Sequence, residues 1–165
     1  MDFGLVCPPG DGEPLRRFNR PDDDFGGLPT WDDVEACLSI DNFDNWPYDA
    51  NAPNSFRCAL EGFRDPHDTT VVTASMHNLV HIFCGGTLNN IFEASNDPLF
   101  PCIHVYVDKI FESWLRDHED VQYPTGDVPL GHRATEKMVP FLPLFENQDL
   151  LKPCRTFGYD YVYDE

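Results

Sequence analysis

The sequence predicts a mainly α-helical domain whose few helices are joined by long ordered loops. Three observations carry this. Apolar residues recur at helical spacing over residues 98–116. Cap and stop residues bracket the helical segments. Fifteen prolines and eleven glycines fall largely between them.

Residues 1–32 read as a loop-rich N-terminal segment, with Cys7-Pro8-Pro9-Gly10 and Pro21-Asp22-Asp23-Asp24 as examples. Thr30 followed by Asp33 resembles a capping box and opens a short helix over residues 34–38. Residues 40–53 hold Asp, Asn and Pro among three aromatics and predict a packed surface loop. Asn54 is the expected N-cap of a helix over residues 55–61, stopped by Gly62. The next helix, over residues 74–83, ends at Gly85-Gly86. Asn96-Asp97-Pro98 then caps the longest helix, with proline in its first turn. Its apolar residues Ile103, Val107, Ile110, Phe111, Trp114 and Leu115 recur at helical spacing. After Tyr123 the chain is irregular, and the alternating tyrosines of residues 158–163 suggest one extended strand.

The formal charge is −18, from 11 basic and 29 acidic residues. Such a field repels phosphate backbones and anionic lipid, so nucleic acid and membrane surfaces are poor partners. No apolar run approaches the ~20 residues that span a bilayer. The first residues, Met1-Asp2-Phe3-Gly4, show no signal-peptide pattern. The six cysteines form no C-x-x-C pair, which argues against a zinc ribbon or redox dithiol. Disulfides among them are open, and no N-x-S/T sequon is present.

The chemistry lies in the histidines. His77 and His81 stand at i, i+4 on one expected helix, so both rings project from one face and can grip one metal ion. A surface or structural pair has the same spacing. The zinc-protease pattern needs Glu after the first histidine, and Asn78 stands there instead. His104, on the inward stripe of the longest helix, is the best third ligand. His67 and His118 are expected to be solvated.

The order of several blocks is similar to the copper-B region of the tyrosinase family. These are Ser75-Met76-His77-Asn78-Leu79-Val80-His81, Asn96-Asp97-Pro98-Leu99-Phe100 and His104-Val105-Tyr106-Val107-Asp108. Phe111-Glu112-Ser113-Trp114-Leu115, Pro129-Leu130-Gly131-His132, Met138-Val139-Pro140-Phe141 and Gly158-Tyr159-Asp160-Tyr161 continue it. Upstream, Ser55-Phe56-Arg57 and Leu60-Glu61-Gly62-Phe63 also fit. The resemblance covers most of residues 33–163 and is closest to animal tyrosinases and their pigment-cell relatives.

The resemblance implies half of a type-3 copper four-helix bundle, in which three histidines hold each of two coppers. It implies hydroxylation of monophenols and oxidation of catechols to quinones, with dioxygen as co-substrate. His77, His81 and His104 become copper-B ligands, with one copper per chain and zinc as the other candidate. Glu61 and Asn78 become the pair that holds a water for deprotonating a monophenol, and Phe63, Ile91 and Ile103 pocket positions. Glu61 as a cap or ion-pair residue and Phe63 as core are the bland alternatives. Asp108, one turn after His104, is expected either to orient a ligand or to serve the helix, and Cys84 to pack.

Two departures accompany it. A copper-A half with its own H-x-x-x-H is absent, so residues 33–165 are expected to be a partial domain and the lone chain inactive. Ile103-His104 stands where animal tyrosinases usually carry His-His, while tyrosinase-related proteins carry an aliphatic residue. The functional expectations are therefore part of a phenol-oxidising copper enzyme or a non-catalytic metal-binding or interaction module. A secretory or organelle-lumenal setting is suggested by the family alone.

Overall fold

A computed structural model describes residues 15–18, 27–118, 120–139 and 143–163. The loop expected over residues 1–14 and 19–26, with Pro140 and Phe141 of one sequence block, lies outside them. The described chain is mainly helical, as expected. Four helices follow in order: α1 (Trp31–Leu38), α2 (Phe56–Glu61), α3 (Met76–Cys84) and α4 (Leu99–Asp117). Short 3₁₀ turns at Gly86–Asn89 and Ala94–Asn96 link α3 to α4. A minimal antiparallel pair follows, β1 (Lys137–Met138) and β2 (Phe145–Glu146), with Lys137 opposite Glu146.

The caps explain where the helices begin. Thr30 and Asp33 form the expected capping box, and α1 starts three residues earlier than the apolar pattern suggested. On α2 the N-cap is Ser55, not Asn54: the Ser55 hydroxyl accepts from the Cys58 amide at 3.1 Å. Asn54 takes φ +48° instead, a left-handed turn that asparagine tolerates better than most residues. Pro98 is the N-cap of α4 rather than its first residue, and Asp97 before it accepts from the Leu99 amide at 2.8 Å while Arg17 holds its carboxylate.

Burial places the core between α1, α2 and the second half of α4. Trp114 is fully buried and stacks on Phe56, with centroids 4.3 Å apart and planes 8° from parallel. Its indole N–H donates to the Ile40 carbonyl at 2.7 Å, so the one polar atom of the ring is satisfied. Val34, Cys37, Ile40, Ala59, Leu60, Met76, Ile110 and Leu115 complete the cluster. Burial pushes the Cys37 thiol up to about 12, in keeping with a packing role.

The tail corrects the expectation of a strand. Residues 158–163 pair with no strand; they lie along α4 through side chains. The hydroxyls of Tyr159 and Tyr161 both donate to Asp108, and Lys109 Nζ donates to the Val162 carbonyl at 2.9 Å. Asp108 therefore anchors the tail to α4. His118 is also not solvated: it stacks on Trp114 at 4.3 Å and bonds the Trp114 carbonyl at 2.8 Å. His67 stays largely exposed and meets Asp33 at 3.0 Å. Among the described residues, Cys37, Cys58, Cys84, Cys102 and Cys154 are not disulfide-bonded.

Candidate metal centre

Gly62 sets the site. It ends α2 in the left-handed conformation (φ +95°), and a Cβ there would stand 2.0 Å from the Ser75 carbonyl oxygen. Only glycine allows the end of α2 to press against the start of α3. Ser75 Oγ donates to the Arg64 carbonyl at 2.7 Å, which ties the same junction. Glu61, the last residue of α2, is thereby held beside His77, the second residue of α3.

His77 and His81 face α4 from successive turns of α3, and His104 meets them from the second turn of α4. The Nε2 atoms of His77 and His81 are 2.9 Å apart, and those of His77 and His104 are 3.1 Å apart. The opposite ring edges are pinned. His81 Nδ1 lies 2.5 Å from the Leu88 carbonyl and His104 Nδ1 lies 2.7 Å from the Phe100 carbonyl. A carbonyl accepts only, so each Nδ1 carries the proton and each Nε2 presents a lone pair.

Such lone pairs converging at about 3 Å repel unless a cation or shared proton stands between them. Nitrogens bound to one ion through bonds of ~2.0–2.1 Å stand ~3.3–3.4 Å apart at tetrahedral angles, so separations of 2.9 and 3.1 Å are slightly tighter and leave the three rings grouped around one point. Burial depresses the His81 pKa against the opposing pull of the Leu88 carbonyl, and the neighbouring His77 and His104 lower it further. The shift favours the neutral ring, the form that ligates. Three imidazole ligands suit copper or zinc, so the residues fit such an ion.

The third outer edge is different. His77 Nδ1 is buried and has no hydrogen-bond partner, and the nearest charged group is Glu61, with Oε2 3.6 Å away. Phe100 stacks on His104 with centroids 3.8 Å apart, fixing that ring from its face. The carbonyls of Leu88 and Phe100 are functional groups that side-chain reading misses. The signal that could have found the first is Gly86, whose φ of +55° and contact with the Arg16 backbone turn the chain back over α3.

The histidines open onto a cavity of about 500 Å³ that Glu61, Phe63, Asn78 and Ile91 also line. Ile91 is 86% exposed and stands at the rim. Ile103 is placed elsewhere, in a neighbouring apolar groove of about 540 Å³ that His77 also borders, with Val80, Val107 and Ile110. Cys84 is buried and takes no part. One other cluster of metal-ligating types exists among the described residues, Glu112, Cys154 and Asp160. Arg116 bonds both carboxylates and Arg155 bonds Asp160, so internal ion pairs occupy it.

Three convergent imidazoles from two helices, two of them pinned at their outer edges, form a group that could hold a metal ion. Residues 12–117 match the family model described as the common central domain of tyrosinase. Bovine tyrosinase is 43% identical over 141 residues, covering 82% of this chain and 26% of that protein. Tyrosinase of Oryzias latipes is 40% identical over 163 residues, covering 96% of this chain and 29% of that protein. A goldfish (Carassius auratus) protein, 5,6-dihydroxyindole-2-carboxylic acid oxidase, is 35% identical over 166 residues, covering 96% and 32%. The chain belongs to the tyrosinase family. It spans about a third or less of the length of these relatives.

Proposed function

We propose that residues 33–165 form the copper-B half of a tyrosinase-type centre, with His77, His81 and His104 holding one copper. The observation that supports this most is the convergence of their Nε2 atoms while the Nδ1 edges of His81 and His104 are tied to carbonyls. In a protein that also carries a copper-A half, phenols and catechols are the substrates and dioxygen the oxidant. Bound copper supplies the redox chemistry toward these molecules.

The residues of this chain do the rest. Glu61 and Asn78 border the same cavity as the histidines. They hold a water that takes the phenol proton, a task a phenol of pKa ~10 requires near neutral pH. Phe63 flanks the ring of the substrate and Ile91 covers the entrance. The apolar groove bordered by Ile103 is the face that the copper-A helices cover, which removes it from water.

A second reading is a tyrosinase-related module that binds metal without oxidising phenols. The aliphatic residue at Ile103, next to His104 in the chain, favours it by resemblance to tyrosinase-related proteins, although its side chain lies in the neighbouring groove. The test is turnover by the copper-loaded chain with a catechol and with tyrosine. The half-site reading expects negligible quinone from this chain alone. Robust quinone formation by monomeric protein, with free copper excluded, would overturn it.

A further inference from the structure

We infer, on the reading above that His77, His81 and His104 hold a metal ion, that Arg17 is a positioning residue for that centre. It acts through a strap that residues 15–18 lay across the connection from α3 to α4. The strap is tied at both ends. The Phe18 amide donates at 2.7 Å to the carbonyl of Cys84, the last residue of α3. The Arg16 amide donates to Thr87 Oγ1 at 3.1 Å, and the Thr87 amide donates to the Arg16 carbonyl at 2.9 Å.

Between these ties, two guanidinium nitrogens of Arg17 donate to the two carboxylate oxygens of Asp97, a side chain with no exposed surface, 80 residues further along the chain. The surface beneath is shaped for the strap. A Cβ on Gly86 would stand 2.1 Å from the Arg16 carbonyl oxygen, and one on Gly85 would stand 3.0 Å from the Phe18 ring. Two adjacent glycines with positive φ therefore let this segment approach.

Both tethers lead to the carbonyls that pin ligand rings. Thr87 precedes Leu88, whose carbonyl meets His81 Nδ1. Asp97 offers acceptors to two amides of the first turn of α4, its carboxylate to Leu99 at 2.8 Å and its carbonyl to Phe100 at 2.9 Å. Amides of a first turn have no partner inside the helix, so Asp97 fixes where that turn stands. The Phe100 carbonyl meets His104 Nδ1, and the Phe100 ring stacks on His104. A buried carboxylate stripped of its cation is costly, so without Arg17 the Asp97 carboxylate leaves this place and the turn loosens.

The test measures zinc binding by the full chain in competition with a chelator of known affinity, and repeats it with Arg17→Ala, Arg17→Lys and Thr87→Val. Arg17→Ala should lower zinc affinity about tenfold, the lower end of what loss of an outer support costs, and Arg17→Lys should recover most of it. Solvent exchange of the imidazole Nδ1 protons, read by NMR on the zinc-loaded chain, supplies the second readout. It should quicken at His81 and His104 in Arg17→Ala, and at His81 alone in Thr87→Val. The indole proton of Trp114, in the core, should keep its rate in both. Thr87→Val removes one strap bond without stranding a buried charge, so it tests the strap even where Arg17→Ala fails to fold. Folded variants that bind zinc as tightly as the unaltered chain overturn the inference. So do unaltered Nδ1 exchange rates, or a Trp114 proton that quickens as much as the histidines. If the unaltered chain itself binds no zinc, the metal-centre reading fails and the role of Arg17 falls with it.

Discussion

The Glu61 carboxylate stands 3.6 Å from Nδ1 of His77, and that nitrogen is buried with no hydrogen-bond partner. His81 and His104 have carbonyls in the same role at 2.5 and 2.7 Å. A carboxylate on the outer edge of a ligating imidazole fixes its orientation and strengthens its lone pair. Glu61→Ala is expected to weaken metal binding about tenfold or more, and Glu61→Gln less, because its amide oxygen still accepts. Competition with a chelator of known affinity measures this. Unchanged affinity in Glu61→Ala would show that the carboxylate does not support His77.

Gly62 joins the two helices that bring Glu61 to His77. Gly62→Ala adds a Cβ 2.0 Å from a backbone oxygen at φ +95°. The expected loss exceeds ~1 kcal/mol of stability, by strain and displacement together. Denaturant unfolding reads the stability, and metal affinity should fall with it. A fully stable Gly62→Ala protein would mean that α2 and α3 are not in this contact.

Trp114 is the centre of the core, fully buried against Phe56 and His118. Trp114→Ala should cost about 3–5 kcal/mol, measured by equilibrium unfolding. It should do so without touching a ligand, so any folded fraction should still bind metal. A loss below ~1 kcal/mol would place the core elsewhere.

Acid should weaken the fold through two buried carboxylates. Arg17 holds Asp97 below its usual value against the opposing effect of burial, and the Leu99 amide helps. Burial alone would raise Glu112, but the Cys154 amide and Arg116 outweigh it and bring it down. Both groups are lowered on folding. Their contribution is therefore present above the ordinary values of 3.8 and 4.5, and is lost as pH falls through the folded ones. The melting temperature should drop below about pH 4.5, and Glu112→Gln should flatten part of that drop. An acid limb unaltered by Glu112→Gln would remove this group from the cause.

Much of this molecule is legible in its sequence, and the reasons are local. The capping box of Thr30 and Asp33, the stop at Gly62 and the stripe from Val107 to Leu115 depend on near neighbours, and all are found. The i, i+4 spacing of His77 and His81 set them on one face of α3, and the structure brings His104 to them. What the sequence hides is non-local. Asp108 anchors Tyr159 and Tyr161 from about fifty residues away, so the alternating tyrosines mimic a strand pattern without having a strand partner. His118 is polar and flanked by charge, yet it stacks on Trp114 because α4 ends there against the core. Ile103 is adjacent to His104 in sequence, but one residue on a helix turns it ~100° away, into the apolar groove.

The most direct measurement is a calorimetric titration of the metal-free chain with copper or zinc, repeated with His77→Ala, His81→Ala and His104→Ala. Three convergent imidazoles predict one tightly bound ion per chain and a large loss of affinity in each variant. Binding should also weaken in mildly acidic buffer, as the imidazoles take up protons. Two tightly bound ions, or one ion whose affinity survives the loss of any of the three histidines, would contradict the account.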